Sequence, residues 1–316
     1  MARRSMLLRR LAWVCAVMVL LIMSLSAYLR LSKVGLGCEP WPQCYGQALR
    51  AADAAPPATD GATAAARMIH RVVASVTLLL VLVMVMTALA LRPVLWPEGR
   101  LALGLLALVL FLAVLGRWTA QARLPAVTLG NLLGGIAMFA LSVRLALVTA
   151  RSPAPSVGRA PPIAWIWLAG LLVLAQAALG GLVSTGHAGL SCPALGACDL
   201  GAGSWQALVP WVEPPAGALP THAGGALVHV LHRAGGLLLV AALLVLAWRA
   251  RRQGQRTVAM LLVGLPALQV VLGLVLVALD LPLALVLAHN LTAALLLALL
   301  LSISVPQRNP MLLPAL

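Results

Sequence analysis

The sequence predicts an all-α integral membrane protein, with eight transmembrane helices arranged as two pseudo-symmetric four-helix bundles. Three observations lead there. Hydrophobic residues fill 62% of the 316 positions, charged residues only 9%, and mean hydropathy is +1.03; a soluble domain carries about 25% charged residues. The apolar load sits on Leu, Val and Ala in long runs, whereas barrel strands would alternate in polarity. The pattern also repeats at about half the chain length.

A span needs about 20 predominantly apolar residues. In order, the runs at 11–29, 68–91, 101–118, 125–148, 163–184, 225–248, 257–279 and 283–304 meet that requirement. The first follows Arg3, Arg4, Arg9 and Arg10 and is read as a span, not as a cleaved leader. Arg92 and Arg100 flank the turn after the second; Arg144, Arg151 and Arg159 mark the end of the fourth. Arg249, Arg251, Arg252 and Arg256 separate the sixth from the seventh, and Arg308 follows the eighth. Two longer polar loops, 30–67 and 185–224, complete the chain.

The formal charge of +15 does not indicate a nucleic-acid partner, because the basic residues form short clusters between apolar runs. They act as topology signals. Of the 22 basic residues, 14 lie on the side holding both termini; six of the seven acidic residues (Glu39, Asp53, Asp60, Asp199, Glu213 and Asp280) lie on the other. The basic bias puts both termini in the cytoplasm of a bacterial inner membrane and both long loops outside.

The repeat is legible residue by residue. Gly35-Leu36-Gly37-Cys38 with Cys44 matches Gly189-Leu190-Ser191-Cys192 with Cys198, and His70-Arg71 matches His232-Arg233. Asn131 stands early in the fourth span, where His289 stands in the eighth. Four spans separate the copies, so both halves, 1–150 and 151–316, share one orientation, and the axis relating them lies along the membrane normal.

His232 and His289 each lie about seven residues inside the outer end of a helix, roughly 10 Å deep at 1.5 Å per residue. Polar side chains at such depth are costly and usually functional. Two imidazoles at equal depth on separate helices can supply both axial ligands of one haem iron. Small residues follow four positions on: Gly236 after His232, Ala293 after His289, Ala74 after His70 and Gly135 after Asn131. They suit a flat macrocycle against the helix, or close helix packing. Arg71 and Arg233 are cations at outer ends, where the basic-side rule does not call for them; a planar guanidinium there suits haem propionates, although a snorkelling Arg reads the same way.

Cys38 with Cys44 and Cys192 with Cys198 form two external Cys-x5-Cys pairs. An oxidising exterior favours a disulfide within each loop; a redox-active thiol pair is the alternative. Cys15 reads as a small apolar residue of the first span. His222 reads as a solvated loop residue, and His229 shares a face with His232. No recognisable spacing of His and Cys in the loops supports a copper site.

Together these residues resemble the haem A synthase family. The resemblance spans nearly the whole chain. It rests on Gly-Leu-Gly-Cys-x-x-Trp-Pro-x-Cys-Tyr-Gly from Gly35 to Gly46, on His-Arg in the second and sixth spans, and on the histidine of the eighth. It implies oxidation of the position-8 methyl of haem O to a formyl group, giving haem A for cytochrome oxidase. It also implies a haem b between His232 and His289, and haem O in the first half with His70 as catalytic ligand. A haem O-producing farnesyltransferase is the implied partner, and a homo-oligomer is compatible with the pattern. Two positions depart from the family. Asn131 stands where a second histidine is usual, and Arg67 stands where a glutamate is usual, which removes a candidate proton acceptor and adds a cation beside Arg71. These departures give the alternatives: a non-catalytic b-type haem protein derived from the family, or an oxidase assembly partner.

Overall fold

The computed structural model describes residues 2–33, 44, 61–119, 124–150, 163–192, 194, 197–201, 203–213 and 219–303. Within them lie eight helices long and apolar enough to cross a membrane, and no strand. The helices are α1 (Ala2–Lys33), α2 (Gly61–Leu89), α3 (Trp96–Thr119), α4 (Pro125–Thr149), α5 (Ile163–Thr185), α6 (Ala226–Arg252), α7 (Arg256–Ala278) and α8 (Leu283–Ile303). This is a multi-pass membrane protein, as the composition requires.

Five of the eight expected spans end within about a turn of the observed helices. The first three are longer than expected, most of all α1 and α2, which begin nine and seven residues before their apolar runs. The reason is physical: hydropathy locates the stretch that prefers hydrocarbon, whereas helix hydrogen bonding continues into the interface until caps or turns end it.

The helices close into two four-membered rings. In the first, α1 and α3 each pack on both α2 and α4; in the second, α5 and α7 each pack on both α6 and α8. The rings join through α4 against α8 and α5, and through α1 against α8. Helix α4, with neighbours in both rings, is the most enclosed of the eight. Its Gly134, Gly135, Ala140, Ser142 and Ala146 are buried, which lets backbones approach closely where no hydrophobic drive separates lipid from protein. Large apolar side chains such as Val17, Leu79, Met86, Leu171, Leu237 and Met260 remain exposed on the outer surface, as lipid-facing residues should.

Hydroxyls inside the spans have no water to bond. Thr77, Ser142, Thr185 and Thr292 each donate to the carbonyl four residues earlier, at 2.7, 2.8, 2.9 and 2.8 Å. Cys15 is fully buried, free, and accepts the Ser142 hydroxyl at 3.4 Å, in keeping with a small apolar role.

The arginine clusters are structural as well as topological. Arg4 donates to the carbonyls of Thr87, Ala88 and Pro93 at 2.6, 2.8 and 2.9 Å, closing the C-terminal end of α2. Arg249 stacks over Trp165 and Arg252 over Trp248, at 5.0 and 4.6 Å, the pairing expected of an interfacial belt.

Candidate functional site

At the end of the bundle where α1 and α5 finish and α2 and α6 begin (the long-loop end), α6 and α8 occupy opposite corners of the second ring. His232 is six residues into α6 and His289 six into α8, so both lie at the same depth, about 9 Å at 1.5 Å per residue. Their rings face each other across the ring interior with centroids 6.4 Å apart and planes at 65°. A metal–imidazole bond is about 2 Å and a ring nitrogen lies about 1 Å from its centre, so an ion held axially between two imidazoles separates the centroids by roughly 6 Å. The observed centroid spacing is close to that value.

Two neighbouring helices seat the rings. From α5, the Gln176 amide nitrogen lies 2.9 Å from His232 Nδ1 and 2.6 Å from its main-chain oxygen. Gly180, one turn on, leaves room for the ring: a Cβ there would stand 2.8 Å from His232 Cε1. From α7, the main-chain carbonyl of Gln269 faces the His289 ring, and a Cβ at Gly273 would stand 3.3 Å from His289 Cε1. The space beside Gly235 and Gly236 is taken by the Gln176 amide, so at Gly236 the gap expected for a macrocycle seats a side chain instead. Likewise Met23 of α1 fills the space beside Gly135.

Arg233 donates to the carbonyls of Cys192 and Ala194 at 2.6 and 3.1 Å, tying the disulfide loop to α6. A guanidinium has five N–H donors, so these bonds leave it capacity for an anion. Cys192 and Cys198 are disulfide-bonded, with Cα atoms 4.8 Å apart. Cys44 is also disulfide-bonded, and Cys38 lies outside the described residues.

His222 is not simply solvated. Its Nε2 lies 2.7 Å from the Gly186 carbonyl, and its own carbonyl accepts from Ser191 at 2.7 Å, so it staples the two arms of the α5–α6 loop. Burial first, then electrostatic repulsion from the His222 and Arg30 side chains, push the pKa of the buried His187 down to about 4. His229 is buried on α6 with Nδ1 lacking a partner. No cluster of three or more His, Cys, Asp or Glu groups occurs among the described residues.

The first ring carries the corresponding positions on its own opposite corners, α2 and α4. His70 is half-buried nine residues after Gly61, as His232 is nine after Ala223, where a short 3-10 turn leads into α6. Asn131 is half-buried six residues into α4, as His289 is in α8. Arg67 and Arg71 are exposed on the long-loop part of α2.

Residues 9–301 match the COX15-CtaA family, described as cytochrome oxidase assembly protein. The chain belongs to this family. It is also 35% identical to a protein named heme A synthase from Shewanella oneidensis, over 91% of this chain and 93% of that one. The resemblance read from the cysteine and histidine motifs is thereby borne out. What the sequence reading of this COX15-CtaA chain missed is the pair of glutamines. The signal was present: Gln176 and Gln269 are amides in the middle of apolar spans, each followed four residues later by glycine.

Proposed function

We propose that the chain is a haem A synthase, oxidising the position-8 methyl of haem O to a formyl group for cytochrome oxidase. The observation that carries this reading is the imidazole pair 6.4 Å apart, on diagonal helices of a COX15-CtaA protein. His232 and His289 hold a haem b, which supplies one-electron transfer when bound. In the other ring His70 holds the iron of the substrate haem O. Asn131, on the opposite corner and a poor iron ligand, would leave that iron with His70 as its one histidine ligand. Arg67 and Arg71, exposed at the same end, bind the propionates.

Two bundles, 1–150 and 151–316, related by an axis along the membrane normal, are supported by the helix neighbours. The pattern is unchanged when α1–α4 are exchanged with α5–α8. Arg30 donates to Ser184, 154 residues on, at 2.9 Å, and Arg144 to the Leu301 carbonyl, 157 on, at 2.7 Å; both bonds join nearly corresponding positions. The arginine asymmetry supports cytoplasmic termini and the Shewanella relative a bacterial inner membrane, where a haem O-producing farnesyltransferase supplies the substrate.

His232→Ala and His289→Ala should each abolish the low-spin haem b spectrum of the purified protein. His70→Ala should abolish haem A formation while sparing that spectrum. Low-spin haem retained in both C-terminal variants would remove the assignment. Asn131 and Arg67 favour a second reading, a non-catalytic b-type haem protein; it prevails if the wild type binds haem b yet restores no haem A to a strain lacking its own synthase.

A further inference from the structure

Three polar atoms around the histidine pair are buried without a hydrogen-bond partner: Gln176 Oε1, Gln269 Oε1 and His289 Nδ1. Each such orphan is costly, and in a span no water relieves it. All three belong to the pair or to residues that meet it, on three helices, and they call for a use. The two glutamines are also placed alike. Each lies one turn before a glycine whose missing side chain makes room for a ring: Gln176 and Gly180 for His232, Gln269 and Gly273 for His289.

We propose that these two Gln-x-x-x-Gly segments, on α5 and α7, are the positioning elements of the histidine pair, the amides fixing the Nδ1 side of each ring and the glycines its seat. This rests on the haem b reading above. A neutral imidazole that ligates through Nε2 carries its proton on Nδ1, and a partner on that proton fixes tautomer and ring orientation and raises ligand basicity. At His232 the Gln176 amide nitrogen bridges Nδ1 and the histidine's own carbonyl, at 2.9 and 2.6 Å, and the Gln176 main-chain carbonyl faces the same ring, as that of Gln269 faces His289. At His289, an orphan donor and an orphan acceptor are already present on adjacent helices. Neither α1 nor α3 contains a glutamine. The device therefore belongs to the ring that retains its haem, and the ring that must release a product lacks it.

The test uses the full-length protein loaded with haem b in detergent. Gln176→Leu and Gln269→Leu keep the volume and suit a membrane helix, so folding is preserved. Each should weaken haem retention by about 10- to 100-fold, shift the low-spin electron paramagnetic resonance g-values, and raise the midpoint potential. Gln176→Glu, a stronger acceptor, should move the potential in the opposite direction. His232→Ala run in parallel separates the two claims. If it leaves the low-spin signal, the haem b reading fails. If it abolishes the signal while the Leu and Glu variants leave g-values and potential at wild-type values, the positioning role is wrong.

Discussion

Gly180 and Gly273 differ in how tightly they hold their rings, and the difference can be measured. An added Cβ would stand 2.8 Å from His232 Cε1 but 3.3 Å from His289 Cε1. Gly180→Ala should therefore displace its imidazole and lower haem b content severalfold, with Gly273→Ala milder; equal losses by haem extraction would contradict the geometry. Asn131→His should give the first ring a second imidazole, seen as additional low-spin haem when haem is supplied in excess. At His187 burial holds the pKa near 4, below the usual value of about 6.5. The folded loop therefore binds fewer protons than the unfolded chain, and its stability is full above about pH 6.5 and falls toward pH 4. His187→Asn, which tolerates the positive φ of 55° at this position, should flatten that dependence in melting curves taken from pH 7 to pH 4. The individual histidines were legible in the sequence because imidazoles are rare in apolar runs. The partners of each ring were not, since they lie on other helices.

Helix ends are where the elements depart from their hydropathy. The apolar run of α2 begins at 68, yet the helix begins at Gly61, so His70 stands nine residues into its helix, as His232 stands nine after Ala223. The other end of α2 is held from outside the helix. Arg4 supplies three donors to carbonyls at or just beyond its last turn, two of them from partly shielded positions. Arg4→Ala should lower stability by roughly 1–3 kcal/mol, read as a fall in melting temperature in detergent, with the haem b spectrum unchanged because α2 is outside the second ring. A variant as stable as wild type would mean that water replaces the guanidinium at no cost. The arginines were readable as topology markers; that one of them closes a helix 83 residues away was not.

For the whole molecule, the two rings meet through α4 and α8, and the long-loop end is tied across them. Pro210, in the α5–α6 loop, accepts from the Ala126 amide at the start of α4 at 2.9 Å, so a loop of the second ring closes a helix of the first. If the orientation read from the arginines holds, the Cys192–Cys198 disulfide faces the exterior. After reduction, a membrane-impermeant thiol reagent should label Cys198 in intact spheroplasts; labelling only after lysis would invert the topology and carry the histidine pair to the other leaflet.

The order of residues was enough to set the solvent and the class of secondary structure, because hydrocarbon admits only segments that satisfy their own backbone, and eight apolar runs of spanning length leave helices. It also determined the matched depth of His232 and His289, since position along a helix is one coordinate fixed at 1.5 Å per residue. Tertiary structure alone decided what lies sideways of each residue. That α6 and α8 stand diagonally, that their rings come to 6.4 Å, and that Gln176 rather than a macrocycle edge fills the slot at Gly236 are all consequences of helix packing. In a membrane that packing is set by small residues and internal hydrogen bonds. Such contacts are made between residues tens of positions apart, so no periodicity along the chain encodes them.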